Sequence, residues 1–158
     1  MEPLKILEEL GIKFQMLEHA AVYTVEESRR LKIFEKLDGQ PCKNLFLKNK
    51  RGEYFLLVLP ADKRADLKVV AKLLNLPRLS FASEEELEKI LGLQTGAVSP
   101  LGIINDAQKK VRLIFDAELQ GKNLLLHPNK NTATISLPFE DLTKIIFHTE
   151  HSYSLVEL

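Results

Sequence analysis

A strand-rich α+β fold is predicted for this chain by three features of its sequence. Apolar runs of strand length recur along it, the clearest being Phe55-Leu56-Leu57-Val58-Leu59. Short amphipathic segments with good capping residues stand between those runs. Several connections carry the glycine of a tight turn. The length, 158 residues, suits one domain spanning 1–158, and no internal repeat, low-complexity tract or linker divides it.

The first element is a predicted helix over Pro3–Leu10. Leu4, Leu7 and Leu10 recur at helical spacing, Pro3 suits the first turn and Gly11 the stop. Phe14–Leu17 reads as a short strand. Thr24 is a good N-cap for a helix running to about Leu37, with Glu27 completing a capping box. Asn44–Asn49 and Tyr54–Leu59 form a predicted hairpin around Lys50-Arg51-Gly52-Glu53, and the second strand, apolar on both faces, is predicted to be central. Asp66 caps a helix over Leu67–Leu74, and Leu79–Phe81 is a short strand. Ser83 caps a helix that opens with three glutamates, which the helix dipole favours, and stops at Gly92. A loop follows from Gln94 to Gly102. Val111–Asp116, Asn123–His127, Thr132–Leu137 and Tyr153–Val156 are further strands, with a helix over Phe139–Phe147.

The apolar fraction of 45% and charged fraction of 28% are those of a globular protein rather than a disordered chain. No run reaches the eighteen or so apolar residues of a membrane span, and Met-Glu-Pro-Leu-Lys-Ile lacks an apolar signal core. The expectation is a cytoplasmic protein without a membrane partner. Cys42 is the lone cysteine, which excludes an internal disulfide and a multi-thiolate metal site. The net charge is zero, but unevenly spread: residues 43–72 hold 8 basic side chains against Glu53, Asp62 and Asp66. Such a stretch either attracts a polyanion or is a solvated lysine-rich hairpin and helix.

Three segments combine polar groups with unusual backbone. Cys42-Lys43-Asn44 stands at the mouth of the hairpin, where a lysine ammonium suits phosphate. Gly96-Ala97-Val98-Ser99-Pro100-Leu101-Gly102 is a loop whose glycines permit close approach by a ligand, or simply a tight connection. It matches neither a Walker loop, nor a dinucleotide fingerprint, nor a nucleophile elbow. His127-Pro128-Asn129-Lys130-Asn131-Thr132 ends a strand, with a histidine that can orient a substrate, transfer a proton or serve as a structural hydrogen-bonder. His19, His148 and His151 are scattered, with no zinc spacing.

Taken in order, Cys42-Lys-Asn-Leu-Phe-Leu47, Gly96-Ala-Val-Ser-Pro-Leu-Gly102 and His127-Pro-x-x-Asn-Thr-Ala-Thr134 resemble the prolyl-tRNA editing superfamily of the YbaK/ProX type. Leu59-Pro-Ala-Asp-Lys-Arg64 and Arg78-Leu-Ser-Phe-Ala-Ser-Glu-Glu85 are similar to its free-standing alanyl-tRNA(Pro) deacylases. The resemblance runs from about Thr24 to the C-terminus. It implies a single editing (deacylase) domain in which a curved mixed sheet approaches a barrel with helices around it. The implied reaction is hydrolysis of the ester on mischarged tRNA(Pro), with no cofactor and no metal. The implied partners are the tRNA(Pro) acceptor end and a prolyl-tRNA synthetase. Cysteinyl-tRNA(Pro) or another small aminoacyl-tRNA is the alternative substrate. A silent tRNA-binding or synthetase-associated module is the alternative class.

The resemblance assigns Lys43 to the terminal phosphate or ribose, with Asn44 adding a hydrogen bond nearby. The loop containing Gly96, Val98, Ser99 and Pro100 would bind the α-amino group and the scissile carbonyl, with Gly102 as oxyanion donor. His127 and Asn131 would close the adenosine side and order the water. Phe46, Ile33, Val98 and Leu101 are the expected walls of the aminoacyl pocket. Asn129 stands where an apolar residue is common in relatives, and Leu101 where an aromatic is common.

Overall fold

The apolar run at residues 54–60 forms the centre of the structure because neither of its faces is polar. The computed structural model describes residues 2–158. Helix α1 (Pro3–Glu9) leads to strand β1 (Gln15–Glu18) and to the short helices α2 (Val25–Arg30) and α3 (Ile33–Lys36). The hairpin β2 (Gln40–Lys48) and β3 (Tyr54–Pro60) follows, then α4 (Leu67–Leu73), β4 (Ser80–Phe81) and α5 (Glu84–Leu91). The second half holds β5 (Val111–Asp116), β6 (Asn123–Leu126), β7 (Ala133–Pro138), α6 (Phe139–His148) and β8 (Tyr153–Val156).

The strands run in the order β1-β7-β6-β2-β3-β5-β8, with β4 paired onto β2. The sheet is mixed. The β2–β3, β6–β7 and β1–β7 pairs are antiparallel, whereas β3–β5, β5–β8 and β2–β6 are parallel. Alternation along β3 sends Leu56 and Val58 into one core and Phe55, Leu57 and Leu59 into a second. The first core also takes Leu124 and Leu126 from β6 and Ile135 and Leu137 from β7, so both arms of the sheet curve around it. The curve stops short of a closed barrel, because β1 and β8 end the strand order and do not pair. The second core is covered by Val70 and Ala71 of α4. Each large apolar side chain buried this way contributes about 1.5–3 kcal/mol.

Two expectations are corrected. The helix expected from Thr24 to about Leu37 is broken at Lys32, whose backbone is left-handed (φ 57°). The break turns the chain so that Ile33 is fully buried. The loop after Gly92 is not irregular throughout, since Pro100–Asn105 winds into a 3₁₀ turn capped by the Ser99 hydroxyl. The Thr24 cap forms as expected by accepting from the Glu27 N–H. The Glu27 carboxylate, however, accepts from the Tyr23 N–H rather than from the cap residue.

Helix α5 is fastened to the hairpin through Glu86. Its carboxylate accepts from Lys48 Nζ (2.8 Å), from the Ser83 N–H (3.0 Å) and from the Tyr54 hydroxyl. These bonds, Lys48 first, hold its carboxyl down from 4.5 to about 2. A depressed carboxyl stabilises the fold fully above its unfolded value and stops doing so as pH falls through the folded one. Melting temperature between pH 4.5 and about 2 is therefore expected to fall more steeply in the wild type than in Glu86→Gln. Parallel curves would remove this role.

Candidate active site

Two parallel strands that diverge create the site. β2 and β6 pair only at Gln40 with Leu124 and Pro41 with Leu125. β2 continues along β3 on one side, and β4 meets its other side at Leu47 and Lys48. Between those two contacts, residues 42–46 have no strand partner on that edge. The Ala82 N–H donates to the Phe46 carbonyl there (2.9 Å). Strand alternation therefore turns the Asn44 N–H and C=O toward the same open edge.

A cleft of about 270 Å³ occupies the fork. β2 contributes Cys42, Lys43 and Asn44, and the end of β6 contributes Leu126 and His127. Thr24 and Ser28 of the α2 segment and Phe34 of α3 also line it. The loop after α5 supplies Thr95, Gly96 and Val98, and β7 supplies Thr134. Tyr23 stands at the mouth, 65% exposed. A Cβ on Gly96 would come within 2.9 Å of the Tyr23 ring, and Gly96 itself is left-handed (φ 94°). Only glycine fits there without strain.

Lys43 is the one formally charged side chain in the lining, and it makes no ion pair or hydrogen bond with the described residues. Asn44 Oδ1 is buried and accepts no hydrogen bond. His127 Nδ1 lies 2.9 Å from the Ala133 carbonyl. A carbonyl only accepts, so Nδ1 carries the proton and Nε2 keeps a lone pair in the neutral ring. Burial lowers the pKa of His127, the Ala133 bond opposes that, and nearby His19 lowers it further. Burial pushes the Cys42 thiol up to about 12, and its S–H points to the Gln40 carbonyl (3.3 Å). It is a packing residue rather than a thiolate nucleophile.

Lys43, Asn44, Gly96, Val98 and His127 thus converge on one cleft, whereas six other sequence candidates do not line it and Asn131 stands behind its rim. Phe46 is buried in the first core and stacks on Tyr54. Leu101 is buried in the same core. Ser99 and Pro100 are buried, and the Ser99 hydroxyl accepts from the Leu101 N–H at 3.2 Å. Gly102 donates its N–H to the Ser99 carbonyl (3.0 Å) and packs against Leu93, so it has no free amide for an oxyanion. Ile33 is buried, and its neighbour Phe34 is the wall instead. Asn131 supports the rim, since its Nδ2 donates to the Val22 carbonyl (2.8 Å) and its own carbonyl accepts from the Val22 N–H (3.1 Å).

Sequence reading missed Tyr23, Phe34, Thr95 and, with a distant partner, Thr134. Thr134 lay within a quoted motif, but its partner His19 was only one of several scattered histidines. The cationic stretch divides in two. Lys48, Arg51 and Lys63 are taken up by Glu86, Glu53 and the Asp116–Glu118 pair. Arg64, Lys68 and Lys72 join Arg78 around a second depression of about 930 Å³.

The structure is thus a mixed, open α+β sheet with a small cleft at a strand fork, lined by one lysine ammonium among neutral side chains. The chain belongs to the aminoacyl-tRNA editing domain family, which matches residues 19–145. It is 41% identical over 154 residues to the prolyl-tRNA editing protein ProX of Acetoanaerobium sticklandii, covering 96% of this chain and 93% of that protein. It is 32% identical over 151 residues to prolyl-tRNA synthetase associated domain-containing protein 1 of Danio rerio, covering 94% and 81%. Its fold matches a solved structure described as a candidate trans-editing enzyme for prolyl tRNA synthetase. The TM-score there is 0.72 at 19% identity, covering 99% of this chain and 95% of that one. Among the described residues no cluster of His, Cys, Asp or Glu could hold a metal ion, and no helix is long and apolar enough to cross a membrane.

Proposed function

We propose that this domain, extending over residues 1–158, acts in the cytoplasm as a trans-editing deacylase that hydrolyses alanyl-tRNA(Pro). The observation that carries the reading is the unpaired Lys43 ammonium in a cleft whose other polar groups are neutral. A compact charge of this kind suits a phosphate of the CCA end. The names of the ProX and synthetase-associated relatives supply the tRNA and point to a prolyl-tRNA synthetase as a partner. The basic depression around Arg64, Lys68, Lys72 and Arg78 provides the positive field for the acceptor stem.

The ester is already activated, so placement and charge stabilisation suffice. The lone pair on His127 Nε2 orients a water toward the carbonyl carbon. Water attacks, the acyl–oxygen bond breaks, and the ribose oxygen leaves with a proton, giving free alanine and intact tRNA. With Gly102 excluded, the Asn44 main-chain N–H on the open strand edge is the donor for the developing oxyanion. Phe34 and Val98 bound the side-chain space. Steric exclusion of the prolyl ring protects the correct product more strongly than the roughly 1–3 kcal/mol of one missing methylene.

Alanyl-, cysteinyl- and prolyl-tRNA(Pro) incubated with excess protein test the reading through ester loss. Rapid release of alanine with proline retained is expected. Preferential release of cysteine would move the substrate, and release from none would leave a tRNA-binding module.

A further inference from the structure

Thr134 and His19 are 115 positions apart and form a hydrogen-bonded pair. The β1–β7 register sets Leu17 opposite Thr134 and Glu18 opposite Ala133. The His19 N–H then donates to the Thr132 carbonyl (2.9 Å), which fixes the residue beside Thr134. His19 Nδ1 lies 2.8 Å from the Ala20 carbonyl, so that nitrogen carries the ring proton. Nε2 of the neutral ring is then an acceptor, and the Thr134 hydroxyl, 2.8 Å away, donates to it. The hydroxyl proton is held outside the cleft. Thr134 is 3% exposed and is one of the residues lining the cleft, and with its proton donated to His19 its oxygen has only lone pairs to offer a further partner.

A second neutral acceptor, Asn44 Oδ1, is buried in the same cleft without a donor. No carboxylate lines the cavity. A cationic group entering beside Lys43 has therefore to be held by oriented dipoles. We infer that Thr134 Oγ1, with its proton oriented by His19, accepts a hydrogen bond from the α-ammonium of the aminoacyl ester, with Asn44 Oδ1 as the second acceptor. This assignment rests on the deacylase reading and specifies how the cleft distinguishes an aminoacyl ester from a plain acyl ester. Thr134 is a substrate-binding residue, and His19 is a positioning residue acting through it.

The experiment compares kcat/KM for alanyl-tRNA(Pro) and for propionyl-tRNA(Pro), which lacks the ammonium. The wild type is expected to prefer the alanyl ester by roughly tenfold or more, the range for hydrogen bonds to a charged group. Thr134→Val should remove most of that preference by slowing alanyl release while leaving propionyl release within about twofold. Thr134→Ser should restore it. His19→Phe, which frees the hydroxyl proton, should shift the preference in the same direction as Thr134→Val. If melting shows that Thr134→Val does not fold, Thr134→Ala carries the same comparison. Equal slowing of both esters, or slowing of neither, overturns the assignment while the deacylase reading stands. Cleavage of no ester by the wild type removes the deacylase reading and the assignment with it.

Discussion

Replacing Lys43 with alanine is expected to lower kcat/KM for alanyl-tRNA(Pro) by roughly 10- to 100-fold, with the folded state left almost as stable as before. Lys43 contacts no carboxylate and makes no hydrogen bond among the described residues, so its truncation breaks no bond of the fold. Substitutions of that kind usually fall within about 0.5 kcal/mol of neutral. A charge-assisted contact to phosphate is worth about 1.5–3 kcal/mol, which sets the size of the loss. Contact with a terminal phosphate made equally in ground and transition states raises KM, whereas a contact that keeps the ester in register also lowers kcat. Lys43→Arg keeps the charge but spreads it over a larger planar group in a cavity of about 270 Å³, so partial recovery is expected. Single-turnover kinetics, with melting as the control, separate the terms. An alanine variant that cleaves at the wild-type rate would take Lys43 out of the site.

The parts of the fold that were legible in the sequence are those set by neighbours along the chain. The run at 55–59 is apolar on both faces because β3 has a core on either side. Ser83 and Gly92 mark both ends of α5 through a capping box and a left-handed C-cap. The fork that makes the cleft left no such trace. It depends on β2 and β6 pairing over just two residues, and no local pattern records where a pairing stops. The His19–Thr134 pair was hidden for the same reason, since only the β1–β7 register makes the two adjacent. The error at Gly102 has a different cause. A glycine signals that something approaches the backbone closely, and ligand and side chain give the same signal. Here it is Leu93, whose Cδ1 would lie 2.7 Å from an added Cβ. Gly96, in the same loop, does lie at the cleft. Phe46 was misplaced because β2 changes surroundings along its length. At Asn44 its edge is open, and at Phe46 it is covered by the chain entering α5.

The largest loss of stability from a single polar substitution is expected at Asp106. It sits at the end of the 3₁₀ turn and is buried, as is its partner His151, with side chains 2% and 1% exposed. Its carboxylate accepts from the Lys110 N–H (3.1 Å), the Val111 N–H (2.8 Å) and His151 Nε2 (2.9 Å). Val111 opens β5 opposite Tyr54, and His151 lies in the turn between α6 and β8. One carboxylate therefore joins three segments that the sheet must bring into register. Asp106→Ala leaves two main-chain donors and an imidazole buried without their acceptor, a loss of about 3–5 kcal/mol. Against a total stability of about 5–15 kcal/mol this is a large fraction, and at about 2–4 °C per kcal/mol the melting temperature should fall by roughly 6–20 °C. His151→Phe should cost less, because the Asp106 carboxylate keeps its two main-chain donors. Urea titration of both variants measures the losses. A loss below about 1 kcal/mol for Asp106→Ala, the range of an exposed ion pair, would show that water reaches the pair and that the junction does not depend on it.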